Sequence, residues 1–221
     1  MLTICAWISL AIALLSAAII AADKFRHPQK KMTVMNFVWP ITALYFSILA
    51  LWAYFQYGRA TPNRSHQEQN RAPDWGDAAL SDTHCGAGCA LGDVIAEFAV
   101  FAFSLKLFGS ALYASYLADL IAAWLFGIVF QYFSLKPMTD LSRGQAIGAA
   151  IKADTVSILT FQIGMYLWMA LVYFVLFPRP HIEPNHAVYW FMMQLAMICG
   201  YVTALPINLR LLRKGIKHPM H

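Results

Sequence analysis

Four long stretches of this sequence contain no charged residue, and each is long enough to cross a lipid bilayer as a helix. They are residues 2–22, 32–57, 155–178 and 187–209. A helix needs about 20 apolar residues to span the hydrocarbon core, and backbone groups in lipid must find partners within their own segment. The charge-free stretches therefore predict membrane-spanning helices. The absence of period-two alternation argues against a membrane β-barrel.

The composition of the whole chain also indicates a membrane protein. Of 221 residues, 60% are hydrophobic and only 12% are charged, whereas a soluble domain carries about 25% charged residues. So little charge cannot cover a water-facing surface, which excludes a soluble enzyme, a disordered chain and a disulfide-stapled secreted module. We attribute the net charge of +5 to basic loops that meet lipid headgroups, and we expect no nucleic-acid partner.

Two further spans are predicted in the middle of the chain, where charged residues interrupt the apolar pattern. Residues 89–109 contain Asp93 and Glu97, and residues 112–135 contain Asp119. The pattern predicts an all-α, polytopic integral membrane protein with about six transmembrane helices in a single domain, residues 1–221. The spans are expected at 2–22, 32–57, 89–109, 112–135, 155–178 and 187–209, with a polar loop at 58–84 and an interfacial helix at 138–153.

The distribution of Lys and Arg among the loops predicts the orientation. An even number of spans places both termini on one side, where nine basic residues then face five on the other side. Basic loops favour the cytoplasm, so both termini are expected there. The dense cluster of Lys24, Arg26, Lys30 and Lys31 favours the opposite orientation. An odd number of spans would remove this conflict.

The most informative stretch is residues 83–97, which combines thiols and acids in one predicted helix. Residues four apart share a helix face. Cys85, Cys89, Asp93 and Glu97 therefore form a continuous series along one side. We expect the helix to begin immediately before this stretch, so that the two thiols lie at its mouth and the two acids lie below them.

The residue types in this series predict a metal site and an ion path. Thiolates and imidazole bind soft or borderline ions such as Cu(I) and Zn(II). His84, Cys85 and Cys89 are the predicted metal ligands, with copper expected and zinc as the other candidate. Acids within a span normally face a cavity or a partner. Asp93 and Glu97 are therefore predicted to receive a released ion or a proton.

Further candidates extend this site. Gly88 and Gly92 form a small-x-x-x-small pattern that lets a second helix approach closely and contribute ligands. Two roles are open for Lys152: an intramembrane charge pair with Asp93 or Glu97, or a side chain that extends to the interface and keeps its ammonium in water. The remaining path residues are Asp119 and Asp154, and the second-tier thioether ligands are Met193 and Met197, although methionines at this spacing more often serve packing.

Three functions remain open from the residues alone. The first is membrane transport or delivery of a soft metal ion. The second is a membrane thiol–disulfide oxidoreductase that uses a quinone, although Cys85 and Cys89 have three intervening residues where redox motifs usually have two. The third is a structural subunit of a larger membrane complex, in which the thiols and glycines only pack. No known catalytic motif is present, so no catalytic residue is predicted.

The same residues resemble a known family. Residues 84–97, 38–45, 130–134, 152–155 and 189–217 are similar to the prokaryotic membrane family called domain of unknown function 4396. The resemblance implies a multi-pass protein of the bacterial or archaeal cytoplasmic membrane, with an association with copper or heavy-metal handling. The expected partners are the lipid bilayer, a metal ion, and a second copy of the chain or a metal chaperone.

Two positions depart from the family pattern. Ala90 stands where Thr is expected, and Gln162 stands where Glu is expected. An amide does not accept a proton at neutral pH, unlike a carboxylate. The substitution at position 162 therefore removes an acid from the fifth predicted span and argues against a mechanism that needs a proton acceptor there.

Overall fold

The part of the chain that the structure describes, residues 1–27, 34–59, 72–136 and 142–217 of a computed structural model, is helical and contains no strand. The predicted all-α class is confirmed. Single π-helical turns extend the third helix to Gly58 and the sixth to Leu176. The seven α-helices of these ranges are α1 Leu2–Arg26, α2 Met35–Phe46, α3 Ile48–Ala53, α4 Trp75–Ala102, α5 Ala111–Leu135, α6 Arg143–Leu171 and α7 Ala187–Arg213.

Five of the described helices are long and apolar enough to cross a membrane. They are α1, α4, α5, α6 with its π-helical turn, and α7. Their outer faces carry large exposed apolar side chains such as Leu14, Val129 and Leu167, which is the arrangement that contact with lipid requires. Residues 143–153, expected to form an interfacial helix, are instead continuous with the spanning part of α6.

The prediction of a span at residues 32–57 is wrong, because this segment folds back on itself. The backbone turns at Ser47, which has φ 50° and ψ −122°. The rings of Trp39 and Tyr54 pack with their centroids 5.7 Å apart, and Trp39 also lies against Gly58. A straight helix would separate positions 39 and 58 by about 28 Å. Helices α2 and α3 therefore form a hairpin, and neither arm is long enough to cross a bilayer.

Hydrogen bonds fix both ends of this hairpin. At its open end, Tyr54 Oη donates to Asp23 Oδ2 of α1 at 2.6 Å. At its tip, Gln194 Nε2 of α7 donates to the carbonyl oxygen of Leu44 at 2.7 Å, and Ser9 Oγ of α1 donates to Gln194 Oε1 at 2.7 Å. Irregular backbone at membrane depth is stable only where protein satisfies its polar groups. Ser9 and Gln194 provide that support.

The helices give the bundle a basic end and an opposite end. Tyr201 Oη of α7 donates to the Ala79 carbonyl of α4 at 2.9 Å, so these two helices run antiparallel, whereas α1 runs parallel to α7. Met1 and Lys217 therefore lie at opposite ends, and the expectation that both termini share a side is wrong.

The two ends of the bundle differ in charge. The end near Lys217, here called the basic end, holds Lys24, Arg26, Arg59, Lys136, Arg143, Arg210, Arg213, Lys214 and Lys217, whereas the described part of the opposite end holds Lys106 and Arg179.

The expected polar loop at residues 58–84 is wrong from Trp75 onward, because α4 begins there. Residues 60–71 lie outside the described residues. Asp74 caps the helix: its Oδ1 accepts from the backbone N–H groups of Gly76 and Asp77 at 2.8 and 3.1 Å. The Asp77 carboxylate accepts from the Asp74 N–H at 2.9 Å. This reciprocal capping box starts the helix about 15 Å before Cys85.

Glycines allow α4 and α5 to pack in close contact, as the small-x-x-x-small pattern predicted. A Cβ atom on Gly92 would lie 2.5 Å from the backbone nitrogen of Ala123. A Cβ atom on Gly88 would lie 2.9 Å from the Cα atom of Gly127. These contacts are backbone to backbone, so a side chain at either glycine cannot be accommodated by rotamer changes alone. The α4–α5 hairpin is the closest-packed part of the site described below.

We predict that Gly92→Ala destabilises the protein, whereas Gly148→Ala does not. The first change forces α4 away from α5 and is expected to cost about 1–3 kcal/mol. The control glycine, within α6, has nothing within 4 Å of its Cβ position, and alanine there favours the helix by roughly 0.5–1 kcal/mol. Thermal unfolding of both variants in detergent, followed by circular dichroism, tests this. Equal melting temperatures would contradict the packing described here.

Candidate functional site

A pair of thiols lies at the centre of the bundle. Cys85 and Cys89 are fully buried, and neither forms a disulfide. They lie one turn apart on α4, and both belong to one packed cluster of buried side chains. Because α4 begins at Trp75, the thiols lie deep within the helix, and the expectation that they lie at its mouth is wrong.

Sulfur and aromatic side chains surround this pair. Met165 of α6 and Met193 and Met197 of α7 are buried and belong to the same packed cluster as the two thiols. Tyr45, beside the hairpin tip, belongs to it as well, and its hydroxyl lies 2.7 Å from where a Cβ atom on Gly86 would be. That hydroxyl has no hydrogen-bond partner among the described residues. The cluster is a soft, water-poor environment rich in sulfur.

The predicted ligand set of His84, Cys85 and Cys89 is not assembled in the described residues. His84 Nε2 lies 3.3 Å from Ser134 Oγ of α5, and the imidazole packs edge-on against Phe130. Adjacent helical residues point about 100° apart, which is why His84 lies against α5. Within the described ranges, no three His, Cys, Asp or Glu side chains gather where they could hold a metal ion.

The predicted acids continue the row towards the opposite end. Asp93 Oδ1 accepts a hydrogen bond from Gln162 Nε2 at 2.8 Å, so the departure from the family pattern supplies the partner of this buried carboxyl group. Glu97 Oε2 accepts from Ser115 Oγ at 2.9 Å. Asp119 of α5 is also buried and lines the same cavity as Glu97. Two carboxyl groups that share a buried site rarely both carry a charge, so this pair is a place where a proton can be stored.

A cavity of about 450 Å³ gives access to these acids from the opposite end of the bundle. Glu97, Ser115 and Asp119 line its inner part, and Tyr116 and Tyr189 lie beside them. Its outer part is formed by the α4–α5 turn and by the segment between α6 and α7, and it includes Lys106, Tyr173, His181, Glu183 and Pro184. The carboxyl pair is therefore connected to the exterior, although both acids are buried.

A second polar cluster lies between the thiols and the basic end. Lys217 Nζ lies 2.7 Å from Asp154 Oδ1, with both side chains fully shielded, and it donates to Asn208 Oδ1 at 2.9 Å. Asn208 Nδ2 donates to Asp82 Oδ1 at 2.9 Å. Burial acts to lower the pKa of Lys217 and the Asp154 carboxylate acts to raise it, and the net pKa lies above the usual value.

Of the two roles considered for Lys152, the pair with Asp93 or Glu97 is wrong. Lys152 is exposed on α6, and the lysine that pairs with a buried acid of this row is Lys217, which contacts Asp154. Position 152 lies two residues before Asp154, so the two side chains point to different sides of α6. The predicted path residues Asp119 and Asp154 are buried, as are Asp93 and Glu97.

Sequence reasoning missed Asp82, Asn208 and Lys217. Asp82 had a detectable signal: the Asp74-x-x-Asp77 capping pattern starts the helix early enough to place Asp82 one turn before Cys85 on the same face. No sequence signal identifies Lys217 as a buried residue, because it follows the end of α7 and reaches Asp154, 63 residues earlier, only through the tertiary fold.

These groups form one row of buried polar and sulfur side chains along α4. From Asp82 to Glu97 the row covers about 22 Å, most of the thickness of a hydrocarbon core of about 30 Å. The row begins at the ammonium of Lys217, continues through the thiols of Cys85 and Cys89, and ends at the carboxyl groups of Glu97 and Asp119 beside an open cavity. Ionisable groups at membrane depth are energetically costly and characteristically line paths for ions or protons.

We predict that Gln162→Met destabilises the protein and that Thr160→Val on the same helix has little effect. Methionine preserves volume but leaves Asp93 Oδ1 without its donor, which costs about 1–3 kcal/mol for a buried acceptor. The Thr160 hydroxyl, which valine removes, donates to the Val156 carbonyl of its own helix; the Thr160 carbonyl, which accepts from Thr203, is unchanged in the variant. Thermal unfolding in detergent compares the two variants. Equal stability of both would show that the Gln162–Asp93 bond contributes nothing.

Comparison with known proteins places this arrangement in a family. The model of that family matches residues 74–217, from the cap of α4 to Lys217, and so includes the whole polar row. Residues 38–45, which also suggested the resemblance, lie outside the matched region. Neither a search of curated proteins nor a search of solved structures returned a match. The chain belongs to the family described as domain of unknown function 4396, DUF4396.

Proposed function

We propose that this protein transports a soft metal ion, Cu(I), across the cytoplasmic membrane of a bacterium or archaeon. The observation that carries the proposal is the pair of buried thiols, Cys85 and Cys89, one turn apart on α4 within a single packed cluster. Thiolate and thioether ligands select Cu(I) over harder ions. The pair lies near the middle of the row. An ion bound there therefore has Asp82 on one side along α4 and Asp93 and Glu97 on the other.

The number of ligands favours Cu(I) over Zn(II). Structural zinc sites use four protein ligands and catalytic zinc sites use three. Among the described residues, no three His, Cys, Asp or Glu side chains gather where they could hold a metal ion. Cu(I) is satisfied by a pair of thiolates, and thioethers can add to them. Met165, Met193 and Met197 in the same cluster are available for that purpose when the side chains rearrange around an ion.

Proton movement balances the charge in this proposal. When two thiols bind Cu(I), both S–H bonds break and two S–Cu bonds form, and two protons must leave the pair. Asp93 lies one turn from Cys89, and the Glu97–Asp119 pair lies one turn further. These carboxyl groups take up the protons and release them through the cavity. Cargo and protons thus use the same row of groups.

The hairpin offers a way for the site to open. Transporters commonly bind their cargo near the bilayer midplane, where interrupted helices meet. The α2–α3 hairpin turns at Ser47, and Tyr45 near its tip packs against the thiol cluster. The tip is held by Gln194 and Ser9, which lie on spanning helices. Movement of α1 or α7 would therefore change the position of the tip relative to the thiols.

We infer the orientation of the bundle in the membrane from its charge distribution. The basic end of the bundle carries the nine described Lys and Arg residues named above, against Lys106 and Arg179 at the other end. Positively charged segments remain in the cytoplasm. The basic end with Lys217 then faces the cytoplasm, and the cavity with its carboxyl pair faces the exterior. Five crossings remove the conflict that an even number of spans created.

We predict that the Cys85→Ser, Cys89→Ser double variant loses Cu(I) binding and transport. Serine keeps nearly the same shape but removes both soft ligands, so affinity falls by at least about tenfold. Cu(I) content of anaerobically purified protein and Cu(I) uptake by proteoliposomes are the measurements. Cys199→Ser is the matched control, because Cys199 is a partly buried thiol on α7 outside the cluster.

The other hypotheses give different results in the same experiment. A wild-type protein that holds no metal but forms a reversible Cys85–Cys89 disulfide would replace transport by the thiol–disulfide oxidoreductase. A double variant that folds and transports Cu(I) normally would leave the thiols with a packing role and would favour a structural subunit. Circular dichroism establishes in each case that the variant is folded.

We further predict that Asp93→Asn separates binding from transport. The amide keeps the size of the side chain and its bond with Gln162 but does not accept a proton at neutral pH. Cu(I) binding should persist, while the transport rate falls by about a hundredfold, the usual contribution of a positioned proton acceptor. Gln162→Met is the control, since it disturbs the same contact without removing the carboxyl group. Equal transport rates in Asp93→Asn and wild type would contradict the role of Asp93.

A further inference from the structure

The side chain of Lys217 is held at the basic end as a bound ion would be. Its ammonium contacts Asp154 Oδ1 at 2.7 Å, Asn208 Oδ1 at 2.9 Å and Ser157 Oγ at 3.5 Å. Asp82, Asp154, Ser157 and Asn208 are each 0% exposed. These four side chains come from α4, α6 and α7, so the pocket is a product of the tertiary fold.

The pocket holds more carboxyl oxygens than the ammonium contacts. Asp82 and Asp154 each bring a carboxyl group, and Lys217 pairs with that of Asp154. Asp82 Oδ1 accepts from Asn208, while Asp82 Oδ2 is buried and has no hydrogen-bond partner in the described part of the chain. The pocket thus presents more oxygen acceptors than a single ammonium uses.

We propose that this pocket is a monovalent-cation site, that Lys217 occupies it as a tethered ammonium in this conformation, and that a free cation of similar size, K⁺ or NH₄⁺, fills it when residues 214–217 move away. Carboxylate, amide and hydroxyl oxygens are hard ligands. They suit such an ion and differ in kind from the thiols of the proposed Cu(I) site. The inference therefore stands without the proposed function.

The attachment of Lys217 to the bundle makes exchange with a free ion feasible. α7 ends at Arg213, and Gly215 reverses the chain with φ +65°. Backbone bonds from Gly215 to Leu212 and from Ile216 to Leu211 close the helix end. Arg213, Lys214 and Gly215 are exposed and Ile216 is half-buried. The Lys217 N–H also donates to the Leu211 carbonyl at 3.3 Å. Apart from these backbone bonds, the buried Lys217 side chain attaches the segment, and a short rearrangement beyond α7 would release it.

The first test uses Lys217→Met, with Lys214→Met as the control because Lys214 is exposed in the same segment. Thermal unfolding is measured in detergent with KCl or NH₄Cl against choline chloride at equal ionic strength, since choline is too large for the pocket. In Lys217→Met, K⁺ or NH₄⁺ should raise the melting temperature saturably by about 2–4 °C. Wild type and Lys214→Met should not respond. Equal melting temperatures of Lys217→Met in KCl, NH₄Cl and choline chloride would overturn the proposal.

A second measurement uses the wild-type chain and does not depend on the folding of the variant. A free cation that competes with Lys217 releases the segment, so amide hydrogen exchange of residues 214–217 should be at least about threefold faster in KCl than in choline chloride. Adding Asp154→Asn to Lys217→Met should abolish the cation response. Equal exchange rates in the two salts, or a response that survives in the double variant, would overturn the assignment. None of these readouts involves copper.

Discussion

The fold depends on the need to shield the polar face of one helix from lipid. Helix α4 carries Asp82, Cys85, Cys89, Asp93 and Glu97 along its length, and all of them are buried. A carboxyl group exposed to hydrocarbon costs several kcal/mol, so the polar face of α4 is covered, while apolar side chains such as Ile95 and Phe98 remain exposed on its other face. α5, α6, α7 and the α2–α3 hairpin supply that cover. The glycines of α4 allow α5 to lie in backbone contact, which excludes lipid from that side.

The two ends of the polar row satisfy their charges in different ways. At the basic end, the Asp154 carboxylate is neutralised by Lys217, a fixed charge that belongs to the chain. At the other end, Glu97 and Asp119 line an open cavity, and Glu97 accepts from a serine hydroxyl. Acids beside an open cavity are neutralised by protons that the solvent supplies. This asymmetry distinguishes the two ends of the polar row.

The hairpin shows how tertiary contacts overrule a clear sequence pattern. Residues 32–57 are uncharged and long enough to span, and hydropathy alone does not distinguish a crossing from a reversal. The reversal at Ser47 depends on partners distant in sequence, namely Asp23, which binds Tyr54, and Gln194, which binds Leu44. The apolar character of the segment alone does not decide between the two.

The sequence by itself determined the helical class, the membrane-spanning character of α1, α5, α6 and α7, the single polar face of α4 and its close packing at Gly88 and Gly92. These properties follow from local quantities, namely hydropathy, helical periodicity and side-chain size. Only the tertiary structure decided that Lys217 pairs with Asp154 while Lys152 is exposed, that His84 lies against α5, and that five helices are long and apolar enough to span while one segment turns back. Each of these outcomes depends on which groups meet across helices, and a buried charge or an irregular turn is stable only where a distant part of the chain supplies its partner.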